Sequence, residues 1–159
     1  DHQLDSVEKA VEEAAYFVSA SRNWSDRGGT VVDMCPINCG RDVERLAEVE
    51  ERLKEELPHW YLENGWIRRK YKTSGWKATL MVVNTIGHLA EAAFHHPDLT
   101  VSYAFVIVKL MNHAAKGITN KDFELARKIE EVIQWQPGKE GGALEGTPDD
   151  PRFKYLKYD

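Results

Sequence analysis

The segment from Trp76 to about Phe94 constrains the fold more than any other part of the chain. Trp76, Leu80, Val83, Gly87, Ala90 and Phe94 recur at helical spacing, and Met81, Val82, Ile86, Leu89 and Ala93 carry apolar character around the rest of the cylinder. A helix that is apolar on more than one side needs cover on more than one side, from a sheet and, as a candidate, from another subunit. His95-His96-Pro97 ends the segment, because the residue before a proline is pushed out of the α region.

What flanks this helix supplies the sheet. In Trp60-Tyr61-Leu62-Glu63-Asn64-Gly65-Trp66-Ile67-Arg68, Asn-Gly stands between two strand-like runs, and both residues tolerate the positive φ of a tight type I′ turn. Thr100 to Met111 is rich in β-branched and aromatic residues and reads as one long strand or two joined at a bend. Before the hairpin, Val43, Leu46, Val49 and Leu53 mark one face of a helix running from about Asp42 to Leu57. A last helix starts at Thr119, with Asp122 three positions on as a capping partner and Phe123, Ala126, Ile129, Val132 and Ile133 as its buried face.

The order helix, two strands, helix, strand pair, helix implies an α+β fold with helices on one face of an antiparallel sheet. Residues 1–40 add an amphipathic helix, with Leu4, Val7, Val11, Ala14, Ala15 and Val18 at helical spacing, and a Gly- and Asn-bearing linker. The expected organisation is therefore an extension over 1–40, a core domain over 41–135 and a tail over 136–159. The tail ends Phe153-Lys154-Tyr155-Leu156-Lys157-Tyr158, too apolar for a free end, and is expected to dock, as an added strand for example.

At 159 residues and a formal net charge of −5, with 30% charged residues, the chain has an ordinary, slightly acidic composition. That balance gives no support to a general nucleic-acid or membrane-surface role. No apolar run reaches the roughly 20 residues that cross a bilayer, and no targeting signal is visible, so a cytoplasmic location is the expectation. Cys35 and Cys39 fit plain reduced thiols, a local disulfide or half of a metal site, and no second Cys or His pair lies nearby. Arg68, Arg69, Lys70 and Lys72 make a basic strand, which a solvated edge explains as well as an acidic partner does.

Between Glu91 and Asp122 fall three of the six histidines: His95, His96 and His113. An imidazole changes charge near neutral pH, so histidines beside carboxylates suit general acid–base chemistry. Glu91 and His95 are four residues apart, on one face of a helix, so the carboxylate can orient the imidazole; His88 lies one turn earlier. Other readings stand beside this one. Helix-end histidines interact favourably with the helix dipole without any catalytic role. His88, Glu91, His95, His96 and His113 are capable metal ligands, although their spacing matches no standard zinc motif. Helix capping by itself explains Asp122, and strand packing by itself explains Tyr103.

The pattern Glu91, His95-His96-Pro97, Tyr103, His113 and Asp122 resembles the signature of the pterin-4a-carbinolamine dehydratases, also known as dimerization cofactors of a homeodomain transcription factor. Ala90, Val106, Leu110, Gly117-Ile118-Thr119 and Leu125-Ala126 extend the similarity, which covers roughly Val43 to Gln134. The resemblance implies a four-stranded antiparallel sheet with helices on one side, assembling as a homodimer or homotetramer. It implies a 4a-hydroxytetrahydrobiopterin dehydratase, a hydro-lyase that takes a pterin substrate, 4a-hydroxytetrahydropterin, to quinonoid dihydropterin in tetrahydropterin recycling.

Its family histidines map onto His95, His96 and His113, with Glu91 or Asp122 orienting an imidazole and Pro97 and Tyr103 as substrate contacts. His96 and His113 are expected to flank the reacting carbon while His95 binds or polarises the pterin. Two imidazoles can share the proton transfers with no metal and no organic cofactor. Leu99 stands where many members carry Trp, Asn112 where Thr is frequent and Ala114 where an acidic residue is frequent. These changes bear on substrate affinity more than on fold. The competing reading is a non-catalytic protein on the same fold, similar to Rubisco assembly factors or transcriptional coactivators; keeping all three histidines favours catalysis.

Overall fold

The computed structural model describes residues 43–159. The N-terminal extension expected over 1–40, Cys35 and Cys39 lie outside the described residues. In chain order the described elements are helix α1 (Leu46–Glu56), strands β1 (Tyr61–Glu63) and β2 (Trp66–Lys72), helix α2 (Trp76–Ala93), strands β3 (Asp98–Ser102) and β4 (Phe105–Leu110) and helix α3 (Asn120–Ile133). The strands form one antiparallel sheet in the order β1-β2-β4-β3.

Strand alternation separates the two faces of the sheet. Ile67, Arg69 and Tyr71 of β2 and Val106, Val108 and Leu110 of β4 are buried, while Lys70, Lys72 and Lys109 fall on the alternate positions. The buried set joins Val49 and Leu53 of α1, Val82 and Ile86 of α2, and Phe123, Ala126 and Ile129 of α3 in one core. The fold is thus the α+β arrangement expected, with helices on one face of a four-stranded antiparallel sheet.

Two turns set the register. Asn64 (φ 53°) and Gly65 (φ 77°) both take positive φ between paired Glu63 and Trp66, the two-residue turn expected. The Thr100–Met111 segment is two strands rather than one, folded at Tyr103-Ala104 with Ser102 opposite Phe105. Asp98 consequently lies opposite Lys109, and the chain beyond Leu110 returns to the end of the sheet where β3 begins. The His95-His96-Pro97 junction and the His113 loop both lie at that end of the sheet.

On α2 the core side is not the one its largest residues mark. Ala78, Thr79, Val82, Ile86 and Ala90 are buried, whereas Trp76, Leu80, Met81 and Phe94 are exposed. Periodicity cannot choose between two apolar faces, and the smaller residues allow a closer approach to the sheet. The Thr79 hydroxyl reaches the Tyr103 carbonyl at 3.0 Å and the Thr73 hydroxyl at 2.6 Å.

The basic strand is not a solvated edge. β2 lies between β1 and β4, and Arg69 is turned into the helix layer with 6% of its surface exposed. Its guanidinium meets both oxygens of Glu130, which also accepts the Trp60 indole N–H at 2.9 Å and the Tyr71 hydroxyl at 2.6 Å. Burial, then the charge and hydrogen bond of Glu130, push the Tyr71 hydroxyl well above its ordinary pKa. Asp159 of the tail also pairs with Arg69. The tail continues alongside β2 where β1 stops: Leu156 bridges Thr73 and is buried, Ser74 N–H donates to Tyr155 O at 3.0 Å, and Lys157 N–H to Lys72 O at 2.9 Å.

Candidate active site

The site is built at the C-terminus of α2. Phe94 takes the left-handed conformation (φ 48°, ψ 41°), and the N–H groups of Phe94 and His95 close on the carbonyls of Glu91 and Ala90, both at 3.1 Å. This left-handed cap satisfies carbonyls that would otherwise lack partners. It also ends helical periodicity one residue before His95. The side chain of His95 is 13% exposed and that of His96 56%.

His95 Nε2 lies 2.7 Å from Oδ1 of Asp122, whose side chain is fully buried. Oδ2 of the same carboxylate accepts the Thr119 backbone N–H at 2.8 Å and the Thr119 hydroxyl at 3.2 Å. Capping and orienting are therefore not alternatives, because one oxygen serves each. A carboxylate only accepts, so Nε2 of His95 is the donor, and in the neutral imidazole Nδ1 then holds the lone pair. Three donors and the positive end of α3 compensate the desolvation of this carboxylate.

Glu91 pairs with His96, not with His95 as helical spacing suggests. Its Oε2 stands 3.0 Å from His96 Nε2, and both side chains are largely exposed. The left-handed turn at Phe94 is the reason, since i to i+4 geometry no longer holds beyond it. The Phe94 ring meets the His96 ring edge-on, with centroids 5.8 Å apart and planes at 77°.

His113 is exposed in the loop between β4 and α3, and its ring contacts Trp66 of β2 edge-on with centroids at 5.4 Å. Asn112 shapes that loop. Its Oδ1 accepts the N–H groups of Ala114 and Ala115, both at 3.1 Å, and its backbone pairs with Gly117. An Asn that bonds the backbone two and three residues on is a turn former, so its position before His113 is structurally specific. Sequence reasoning noted Asn112 only as a departure from the family pattern, and Trp66 not at all as a site residue. The signal for Asn112 was its turn chemistry; the contact of Trp66 depends on the β2–β4 register, which leaves no local trace.

Other expected site residues are dispersed. Tyr103 is in the β3–β4 turn, at the far end of a five-residue strand from the histidines, a separation of roughly 17 Å. Within one chain it is not brought to them. Pro97 leads into β3 beside them, whereas Leu99 lies opposite Val108 and packs against the core. His88 is exposed on α2. Among the described residues no three His, Cys, Asp or Glu side chains converge as metal ligands, and no helix is long and apolar enough to cross a membrane. A cavity of about 950 Å³ lies in the tail, lined by Trp135, Phe153, Tyr155 and Tyr158 among others, and none of the candidate site residues borders it.

Residues 44–132 match the sequence model of the family described as pterin 4 alpha carbinolamine dehydratase. A provisionally named pterin-4-alpha-carbinolamine dehydratase of Aquifex aeolicus (strain VF5) is 45% identical over 93 residues, 58% of this chain and 94% of that protein. One with the same name from Chloroflexus aurantiacus (strain ATCC 29366 / DSM 635 / J-10-fl) is 41% identical over 87 residues, 55% of this chain and 92% of that one. A crystal structure described as a transcriptional coactivator/pterin dehydratase from Brucella melitensis superposes with a TM-score of 0.53 at 25% identity, covering 57% of this chain and 98% of that one.

Proposed function

The chain belongs to the pterin 4 alpha carbinolamine dehydratase family, and from that premise we propose that it dehydrates 4a-hydroxytetrahydropterin to quinonoid dihydropterin in tetrahydropterin recycling. The observation that carries this reading is the buried Asp122–His95 contact at 2.7 Å, at the corner where two further histidines stand exposed.

The reaction breaks the C4a–O bond, and the hydroxyl leaves as water once it has received a proton. The ring nitrogen beside C4a gives up a proton, and its electron pair forms the new double bond to carbon. His96 and His113 flank the reacting carbon, one accepting the ring proton and the other supplying the proton for water. Glu91 orients His96 through Nε2. His95, held by Asp122, presents Nδ1 to accept a hydrogen bond from the pterin. Both proton transfers fall to imidazoles, which can accept and supply protons, so the chemistry calls for no metal or organic cofactor.

The competing reading is a scaffold, an assembly or coactivator protein without the chemistry. Stopped-flow dehydration of freshly generated 4a-hydroxytetrahydropterin separates the two. The enzyme reading expects clear acceleration by the wild type and a loss of about 10²–10⁴-fold in folded His96→Ala and His113→Ala variants. A wild-type rate equal to the uncatalysed one favours the scaffold; full rates in both variants would overturn the histidine roles.

A further inference from the structure

Phe94 is out of place by the rules that govern helix ends. A helix that stops in the left-handed conformation ordinarily does so on glycine or asparagine, because a side chain with a Cβ is strained there. This chain puts a phenylalanine at φ 48° and leaves 84% of it exposed, so no burial of the ring compensates for the strain. Strain of this kind clusters at functional sites, where the surrounding structure holds it. The residue here stands between Glu91 and His95-His96, and its ring lies edge-on to His96 at 5.8 Å.

The other aromatic at this end is engaged. Trp66 is in T-shaped contact with the His113 ring and has the Lys109 ammonium 5.9 Å from its ring centroid, and it is half-buried in the sheet. Leu99 points into the core and Tyr103 is at the other end of β3. Phe94 therefore offers the open aromatic face beside the histidine pair. A second copy of the chain is a poorer occupant for that ring. The exposed apolar residues of α2, Trp76, Leu80 and Met81, sit in its first half, and exposed Asn84, His88 and Glu91 separate them from Phe94.

Resting on the dehydratase reading, we infer that Phe94 is a substrate-binding wall that stacks on the flat bicyclic ring of the pterin and sets it against His96. With 84% of its surface exposed, the phenyl ring keeps a face open beside the imidazole, and a planar heteroaromatic has a face to offer in return. The helix end accepts a strained residue because glycine, the relaxed choice, has no ring to present.

The test is steady-state kinetics and thermal unfolding of Phe94→Gly, Phe94→Leu and Phe94→Tyr beside the wild type. Phe94→Gly is expected to raise Tm by about 2–4 °C as the strain is released. It is also expected to raise KM about fivefold to tenfold, the range an aromatic stacking pair supports, with a smaller change in kcat. Phe94→Leu keeps the strain and loses the stacking, so KM rises without a gain in Tm; Phe94→Tyr keeps KM within twofold. A KM within twofold in both the Gly and Leu variants overturns the inference, as does a collapse of kcat at unchanged KM, which would make the ring a positioning group for His96. If the wild type itself fails to accelerate dehydration, the dehydratase reading fails and this inference with it, an outcome distinct from an active wild type indifferent to residue 94.

Discussion

Replacing Asp122 by asparagine separates its two tasks. The carboxylate accepts three hydrogen bonds, two from Thr119 and one from His95, with no exposure to water. Asparagine has one oxygen and one NH₂. If the amide oxygen stays on Thr119, the NH₂ faces Nε2 of His95 and the imidazole proton must move to Nδ1. The opposite orientation sets the NH₂ against the Thr119 N–H, leaving a buried donor unsatisfied at about 1–3 kcal/mol. The first is therefore preferred, and it trades one charge-assisted hydrogen bond for a neutral one, a loss of about 1 kcal/mol. For a folded region of this size that is about 3–5 °C in Tm.

Activity should fall as well, by about 5–150-fold, because Nδ1 changes from acceptor to donor where the pterin is proposed to bind, a mismatch of about 1–3 kcal/mol. Asp122→Ala is the structural control. It removes the Asp122 half of the capping box and so strands the buried Thr119 N–H, at about 1–3 kcal/mol. Stopped-flow dehydration and thermal unfolding of the three proteins decide the matter. An Asp122→Asn variant that is folded and runs within threefold of the wild-type rate would refute the role assigned to the Asp122–His95 contact. One as unstable as Asp122→Ala would show that the amide cannot keep the cap.

Two further outcomes are expected. Burial raises the pKa of Asp159, but the hydrogen bond and charge of Arg69 outweigh it and hold the group below the usual carboxylate range. A depressed carboxylate contributes stability that is present above its unfolded pKa and is lost as pH falls through the folded value, so the tail should loosen below about pH 4. Hydrogen exchange at the Ser74 and Lys157 amides, corrected for intrinsic rates, should rise in acid relative to β2–β4 amides, and Asp159→Asn should show that rise already near neutrality; protection that is unchanged in both refutes the clasp. The exposed half of α2 and the outer edge of β3 lead us to propose a homodimer or homotetramer, and Leu80→Glu should shift it toward monomer by light scattering. A monomeric wild type at working concentration would sink that proposal.

Much of this architecture was legible because it is local. Asn64-Gly65 needs nothing beyond its own φ preferences to make a turn, Pro97 bars His96 from helical geometry by steric conflict, and Thr119 with Asp122 marks a helix start within four residues. The residue types gathered between Glu91 and Asp122 pointed to acid–base chemistry for the same reason, since an unperturbed imidazole changes charge near neutral pH.

What could not be read locally is which group meets which. Spacing put Glu91 with His95, yet one left-handed residue at Phe94 broke the helical period and gave Glu91 to His96. His95 found its carboxylate 27 positions away, because the β3–β4 hairpin turned the chain back and delivered the start of α3 to the end of α2. The sequence left Arg69 open between solvent and an acidic partner; the order β1-β2-β4-β3 made its strand an interior one, and Glu130 came from α3 to meet it. By itself the sequence determined the elements, their ends and the chemistry available. The pairing of each histidine with its partner belonged to the tertiary structure, since it rests on strand register and helix placement, which depend on contacts across the whole chain.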